Sequence, residues 1–406
     1  MVYALEYYFN MVYQVRLYFL VFAFGGFGLV SFIPDFIGLD SRLVTISYRM
    51  IIFLISVLLI FLAIANSRNK LVVKVVSLLS MSLMAAYLFR LAGDGQFIFG
   101  RSLAEIMILA VGVSFIPSIA LSTVKNNSVI LNALNLLIVC FVLISFLAVC
   151  NGFIKGYSYR LSGNSILNPI TLGHFATSGI ILIAIRWLSQ DARVSRFDTI
   201  WLTTALMISL LALLMAGSRG PILGLSLTLA YYFHSKFSYF LRQKVVGIVA
   251  MSILVVVVAF SFDQILDTFS NRMVIDFGDD GQGGEARVVL WATGIDIFLQ
   301  NPWFGNQTTT IIGYPHNIVI EILMASGIVG GIVFFAIMAH AFRKVHRLNK
   351  SGSMLVWPGL LFCQHFVGSL FSGTLYSSND LWYSLALLLA VNLDWSTKSL
   401  GNNVKL

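Results

Sequence analysis

The feature that most constrains this chain is a succession of about twelve apolar runs, each close to the 20 or so residues a helix needs to cross the hydrocarbon of a bilayer. They lie near Leu17 to Ile33, Leu43 to Ala65, Leu71 to Ala92, Leu103 to Val124, Val129 to Cys150, Pro169 to Leu188, Thr199 to Ala216, Pro221 to Tyr239, Val245 to Phe262, Ile318 to Phe342, Met354 to Leu375 and Leu381 to Trp395. One soluble core could not bury them all. The composition agrees: 58% of the 406 residues are apolar and 11% charged, against roughly a quarter charged in an average globular chain. An all-α polytopic membrane protein follows, with about twelve transmembrane helices. The first run is read as a retained span, because no small-residue cleavage site follows it.

The net charge of +9 is therefore first a statement about topology, and nucleic acid is not an expected partner. With the N-terminus in the cytoplasm, 17 of the 26 Lys and Arg residues fall in inner segments. The outer 9 are Arg42, Arg49, Arg90, Arg101, Lys155, Arg160, Arg219, Arg272 and Arg287. Both termini are accordingly expected inside. Cys140, Cys150 and Cys363 fall in or at the end of apolar runs without CxxC or Cys/His pairing, and read as small core hydrophobes. No metal site and no cofactor are expected.

Three regions follow from this reading. Residues 1–262 hold spans one to nine, 263–317 form a long outer loop, and 318–406 hold spans ten to twelve and a short inner tail. The loop carries Asp263, Asp267, Asp276, Asp279, Asp280, Glu285 and Asp296. Its Asp279-to-Glu285 run lacks calcium-loop spacing and reads as a solvated linker. Beyond it, Val288, Leu290, Trp291, Ile295 and Phe298 recur at helical spacing until Asn301-Pro302, which predicts an amphipathic helix lying against the outer membrane-facing surface.

Polar residues beside these spans need a reason, since a charge in the hydrocarbon costs several kcal/mol. In Ala216-Gly217-Ser218-Arg219-Gly220-Pro221 a short break separates two apolar runs, and Pro221 suits the first turn of the following helix. Arg219 with the amides of that helix start would make an anion site; a tight turn with a snorkelling arginine is the plainer alternative. Arg287, four residues before Trp291, carries the planar guanidinium that pairs with phosphate, or is a surface arginine beside acids. Tyr314-Pro315-His316-Asn317 opens the next span, with Glu321 one turn further in and Gly327, Gly330 and Gly331 beyond. His316 has the side chain suited to general-base work near neutral pH, or serves as an interfacial residue. Asn317 and Glu321, four apart, share a helix face. Arg160, in Arg160-Leu161-Ser162-Gly163 before Asn168-Pro169, adds a cation to the same side, and Arg90 lies near the outer end of its own span. His340, His346 and His234 belong to the inner side, while His174 and His365 lie inside spans, where a hydrogen-bonded core histidine is the default and a cavity lining the alternative.

Taken in order, Ser218-Arg219-Gly220, Arg287, Trp291, Asn301-Pro302 to Gly305, His316-Asn317, Glu321 and Gly327-Ile328-Val329-Gly330 resemble the O-antigen ligase and polymerase superfamily. The resemblance implies a metal-independent, cofactor-free membrane glycosyltransferase working at the periplasmic face of the bacterial inner membrane. Its donor would be a glycan on undecaprenyl diphosphate, and its acceptor a second lipid-linked repeat unit or lipid A core. Carried over, Arg219 and Arg287 would bind the donor diphosphate and His316 would activate the acceptor hydroxyl, with Arg160, Asn317 and Glu321 as additional site residues. A chain-length regulator and the membrane lipids are the further partners implied. Of the activities the superfamily holds, O-antigen polymerase is the favoured expectation and O-antigen ligase its alternative. A lipid-linked glycan flippase or transporter is a lower alternative, because it calls for midplane charges and two related halves, whereas these polar clusters lie on one side.

Overall fold

The computed structural model describes residues 2–65, 75–94, 102–156, 160–189, 195–234, 284–310 and 313–393. Among these every regular element is helical, with one isolated bridge between Thr310 and Gly313. In chain order the helices are α1 (Val2–Val21), α2 (Phe27–Val30), α3 (Ile33–Ile37), α4 (Ser41–Ala65), α5 (Val75–Gly93), α6 (Leu103–Ile108), α7 (Ile116–Ser122), α8 (Asn127–Lys155), α9 (Pro169–Leu188), α10 (Arg196–Ala216) and α11 (Arg219–His234). After these come α12 (Gly284–Gln300), α13 (Ile318–Lys350), α14 (Trp357–Ser369) and α15 (Asn379–Ala390). Widened π-helical turns, Phe22–Gly26 and Leu109–Phe115, join α1 to α2 and α6 to α7 into continuous rods.

Local signals set the helix starts. Asn126, Asn168 and Asn317 side chains accept backbone N–H groups at the starts of α8, α9 and α13, and Ser195 with Asp198 forms a reciprocal cap on α10. Inside the bundle, small residues let backbones approach: a Cβ on Gly224 of α11 would lie 3.1 Å from the Gln364 carbonyl oxygen of α14. Two thirds of the apolar window of α9 (67%) is buried but only 22% of that of α4, so α9 runs through the middle and α4 along the rim. Outward-facing apolar side chains such as Leu54, Phe61, Phe89, Ile200 and Ile332 cover the sides, as a lipid-facing surface requires.

Among the described residues seven helices are long and apolar enough to cross a membrane, namely Asn10–Val30, Ser41–Ala65, Leu103–Ser122, Asn127–Lys155, Pro169–Leu188, Arg196–Ala216 and Ile318–Lys350. The chain is a multi-pass membrane protein. Two of the other expected spans fall on shorter helices, since α14 has 13 residues and α15 has 12, while residues 221–234 of the expected span Pro221–Tyr239 lie on α11 and the rest of it lies outside the described residues. Almost all of α14 and α15 is buried against neighbouring helices. The expected span Val245–Phe262 and loop residues 263–283 lie outside the described residues.

Polar contacts tie the helix ends into two layers. At one end, Lys155 pairs with Asp35 at 2.7 Å, Asn164 donates to Ser31 at 2.8 Å, and Asn151 donates to the Gly163 carbonyl at 2.9 Å. At the other, Trp357 donates to the Ile130 carbonyl, Asn127 to that of Asn392 and Ser189 to that of Gly352. There Lys344 also reaches the carbonyls of Leu389 and Val391 at the C-terminal end of α15. Arg160, Arg219, Arg287, His316, Asn317 and Glu321 all belong to the first end.

Candidate functional site

The site is built around two helix starts. At the first, α10 stops because Gly217 adopts a left-handed conformation (φ 54°, ψ 39°), and α11 begins two residues later at Arg219. Ser218 between them is buried, while Arg219 is exposed at the first position of α11. Helix α9 lies hard against this turn: a Cβ on Gly173 would sit 2.9 Å from Pro221 Cγ and 3.4 Å from Ser218 Cβ. Arg160 braces it from the other side, donating from Nε to the Ala216 carbonyl at 3.2 Å and from Nη2 to Ser218 Oγ at 2.9 Å. Leu161 N–H adds a bond to the Met215 carbonyl. Arg160 thus places its charge on the negative end of α10, where a cation is favoured, close to the Arg219 helix start.

At the second start, α12 lies across α13. Trp291 Nε1 donates to the Pro315 carbonyl at 2.8 Å, and Gly294 lets the helices touch, since a Cβ there would lie 2.7 Å from Ile320 Cγ2. The amphipathic helix ends at Asn301-Pro302 as its sequence predicts, but Trp291 and Gly294 face α13 rather than the lipid. Val288, Ile295 and Leu299 form its exposed stripe. Arg287 lies one turn before Trp291 on the same face and brings its charge to His316. Burial first, and the Arg287 charge second, hold the His316 imidazole below its ordinary pKa and so favour its neutral form. Its ring lies 4.3 Å from that of Tyr314, and its backbone takes φ 52°, a left-handed value uncommon for a residue other than glycine. Unusual backbone of this kind tends to mark functional positions.

Two of the residues expected at the site hold the scaffold. Asn317 caps α13, its Oδ1 accepting from Val319 N at 2.9 Å and Ile320 N at 3.2 Å. Glu321 is buried, accepting from Tyr87 Oη at 2.6 Å and from Leu375 N at 2.9 Å. It pins α5 and the 370–378 connection to the helix that His316 precedes.

The glycine motifs explain how α12 is docked. Gly327 breaks α13 with φ 60° and ψ −158°, and the Asn301–Gly305 turn enters the break. Ile328 N–H bonds the Pro302 carbonyl at 2.7 Å, Val329 N–H that of Trp303 at 3.2 Å, and Asn306 N–H that of Met324 at 2.8 Å. Arg90, at the end of α5, donates to the carbonyls of Phe304, Gly305 and Ala325. Asp94 accepts from Thr308 N at 2.7 Å and also from its hydroxyl. Sequence reasoning placed Arg90 only near a span end and did not find Tyr87, Asp94 or the 370–378 connection; the signal available was a tyrosine and an arginine, three apart, in one apolar run.

The geometry is that of a multi-pass helical membrane protein with two helix starts at one end of its bundle, one bearing Arg219 and the other preceded by His316 with the Arg287 charge nearby. Such a set can hold an anionic phosphate group and accept a proton near it. Among the described residues no group of three His, Cys, Asp or Glu side chains could hold a metal ion. Residues 204–335, about a third of the chain, match the family model described as O-antigen ligase. The matched segment spans both helix starts, and over it the chain is similar to the O-antigen ligase family. No curated protein and no solved structure matches it.

Proposed function

We propose that the protein is an O-antigen polymerase, joining oligosaccharide repeat units carried on undecaprenyl diphosphate at the periplasmic face of the bacterial inner membrane. The observation that carries this reading is the placement of His316, at a left-handed backbone position just before α13 and within reach of the Arg287 charge, at the same bundle end as the Arg160-braced Ser218-Arg219 turn. Arg219 and Arg287 hold the donor diphosphate. His316 takes the proton from the acceptor hydroxyl as its oxygen bonds the donor's anomeric carbon. The bond from that carbon to the diphosphate oxygen breaks, and its electron pair leaves with the lipid diphosphate. Because the donor already carries a good leaving group, orientation and charge stabilisation supply most of the catalysis, with no metal or cofactor assigned. Attack opposite the diphosphate inverts the anomeric centre. The full twelve-span topology, with both termini inside and residues 263–317 as a periplasmic loop, belongs to the same proposal.

The description of the matched family as O-antigen ligase supports a second reading, in which the acceptor is lipid A core. Deleting the gene and separating the host's lipopolysaccharide by gel distinguishes the two. Core capped with a single repeat is the polymerase result. Uncapped core with accumulated lipid-linked polymer is the ligase result, and repeat units trapped on the inner leaflet would overturn both in favour of transport.

A further inference from the structure

A cavity of about 300 Å³ opens between α4, α9, α14 and α15 at the same end of the bundle as the site. Its walls carry Arg49 from α4, His174 from α9, His365 from α14 and Asn379 and Asp380 from the start of α15. Serines and aromatic rings, among them Tyr48, Phe175 and Tyr383, complete it. Arg49 lies eight residues into a 25-residue apolar helix, where a charge is costly without a task. The His174 and His365 rings stand 5.5 Å apart, and His174 Nδ1 is buried with no hydrogen-bond partner among the described residues. Both π-helical turns border the space, contributing Phe24 and Val113. Such turns cluster at functional sites.

The cavity also touches both halves of the proposed machinery. One wall includes Asn168, which caps α9, and Thr171 of α9, whose Gly173 packs on Ser218 and Pro221. The opposite wall is the 372–380 stretch, held through Leu375 by Glu321, one turn into the helix that follows His316.

We infer that this cavity is a saccharide-binding subsite, receiving one or two rings of an uncharged acceptor glycan and setting which sugar the protein accepts. Carboxylate, guanidinium, amide and imidazole groups converging with aromatic faces suit vicinal hydroxyls and the apolar face of a sugar ring, and the volume is that of a small-ligand pocket. An anion alone would leave Asp380 opposed to it. The inference rests on the transferase reading for its biological role, but the binding it asserts is separately measurable.

The test uses the full-length protein in lipid nanodiscs and, as probe, the host's repeat-unit oligosaccharide cut free of lipid and diphosphate. Saturation-transfer NMR is expected to show the sugar binding to the wild type. Its affinity is expected to fall at least tenfold in Asp380→Asn, which changes charge without shape, and in Ser372→Trp, which fills the space without removing a lining charge. Thermal unfolding confirms that each variant is folded. Arg219→Ala and His316→Ala are expected to keep sugar binding while losing transfer. No binding to the wild type, or binding unchanged in both cavity variants, overturns the subsite. Displacement of the sugar by inorganic diphosphate at equal concentration, with Asp380→Asn binding diphosphate more tightly, also overturns it, in favour of an anion site. Sugar binding abolished in the cavity variants while His316→Ala still transfers would sustain the subsite and sink the catalytic reading.

Discussion

Replacing Gly327 by alanine should unseat the turn that positions α12, and with it Arg287. The backbone there, φ 60° and ψ −158°, lies in a region open almost only to glycine, and forcing another residue into it costs about 1–3 kcal/mol. The added Cβ would also lie 2.4 Å from the Trp303 carbonyl carbon, 2.5 Å from its oxygen and 2.6 Å from Phe304 N. These are backbone atoms and cannot swing aside. Relief requires withdrawing the Asn301–Gly305 turn and losing the bonds from Ile328 and Val329 to it, at about 1 kcal/mol each. The sum is about 3–5 kcal/mol of local stability. Two other glycines separate the contributions. Gly38 has φ 73° and Gly220 an ordinary backbone, and a Cβ at either meets nothing within 4 Å. Gly38→Ala should therefore cost only the backbone part, about 1–2 kcal/mol, and Gly220→Ala close to nothing. Thermal unfolding in detergent, read alongside transfer activity, should rank the variants Gly220→Ala, Gly38→Ala, Gly327→Ala in increasing loss, with activity abolished in the last. A Gly327→Ala protein that unfolds with Gly220→Ala and keeps its activity would refute the docking account.

Other substitutions test separate contacts. Removing the Arg287 charge with Arg287→Gln should move the acid limb of the kcat/KM–pH profile upward, toward the ordinary histidine value, because the wild-type pair holds His316 neutral to lower pH; an unmoved limb would separate the two residues. Arg160→Met deprives the Ala216 carbonyl and Ser218 of their donor and should cost about 1.5–3 kcal/mol with at least a tenfold fall in transfer; full activity in a folded protein would show that the turn needs no brace. Glu321→Ala strands the buried Tyr87 hydroxyl and Leu375 N–H at about 2–5 kcal/mol, whereas Glu321→Gln, keeping one acceptor oxygen, should lose about half as much by the same thermal assay. Equal losses in the two variants would remove the bracing role.

Helix positions were readable from the sequence because apolar runs and caps are local signals. Asn168-Pro169, Asn317 and Gly217 mark helix ends through their own side chains or φ angles. The end of α12 at Asn301-Pro302 was equally plain, but its orientation was not. Trp291 and Ile295 are both apolar, and only the tertiary partner decides that Trp291 reaches Pro315 while Ile295 remains exposed. The same limit explains Glu321 and Arg90. A carboxylate and a guanidinium in apolar runs call for partners, but those partners, Leu375, Tyr87 and the Phe304 and Gly305 carbonyls, come from distant segments. Arg49 stood among the outer cations by topology, and its place on a cavity with His174, His365 and Asp380 emerges only when four helices meet. The short helices α14 and α15 are buried by neighbours along almost their whole length, which apolar run lengths do not report.

The most direct test of the central claim is transfer by the purified protein reconstituted in liposomes with lipid-linked repeat units as the sole glycan substrate. The account predicts a ladder of longer glycans still attached to lipid diphosphate, each new linkage inverted at the anomeric carbon, and no ladder with His316→Ala or Arg219→Ala. Transfer that requires added lipid A core would replace the polymerase with the ligase. A ladder undiminished in folded His316→Ala would contradict the assignment of the base itself.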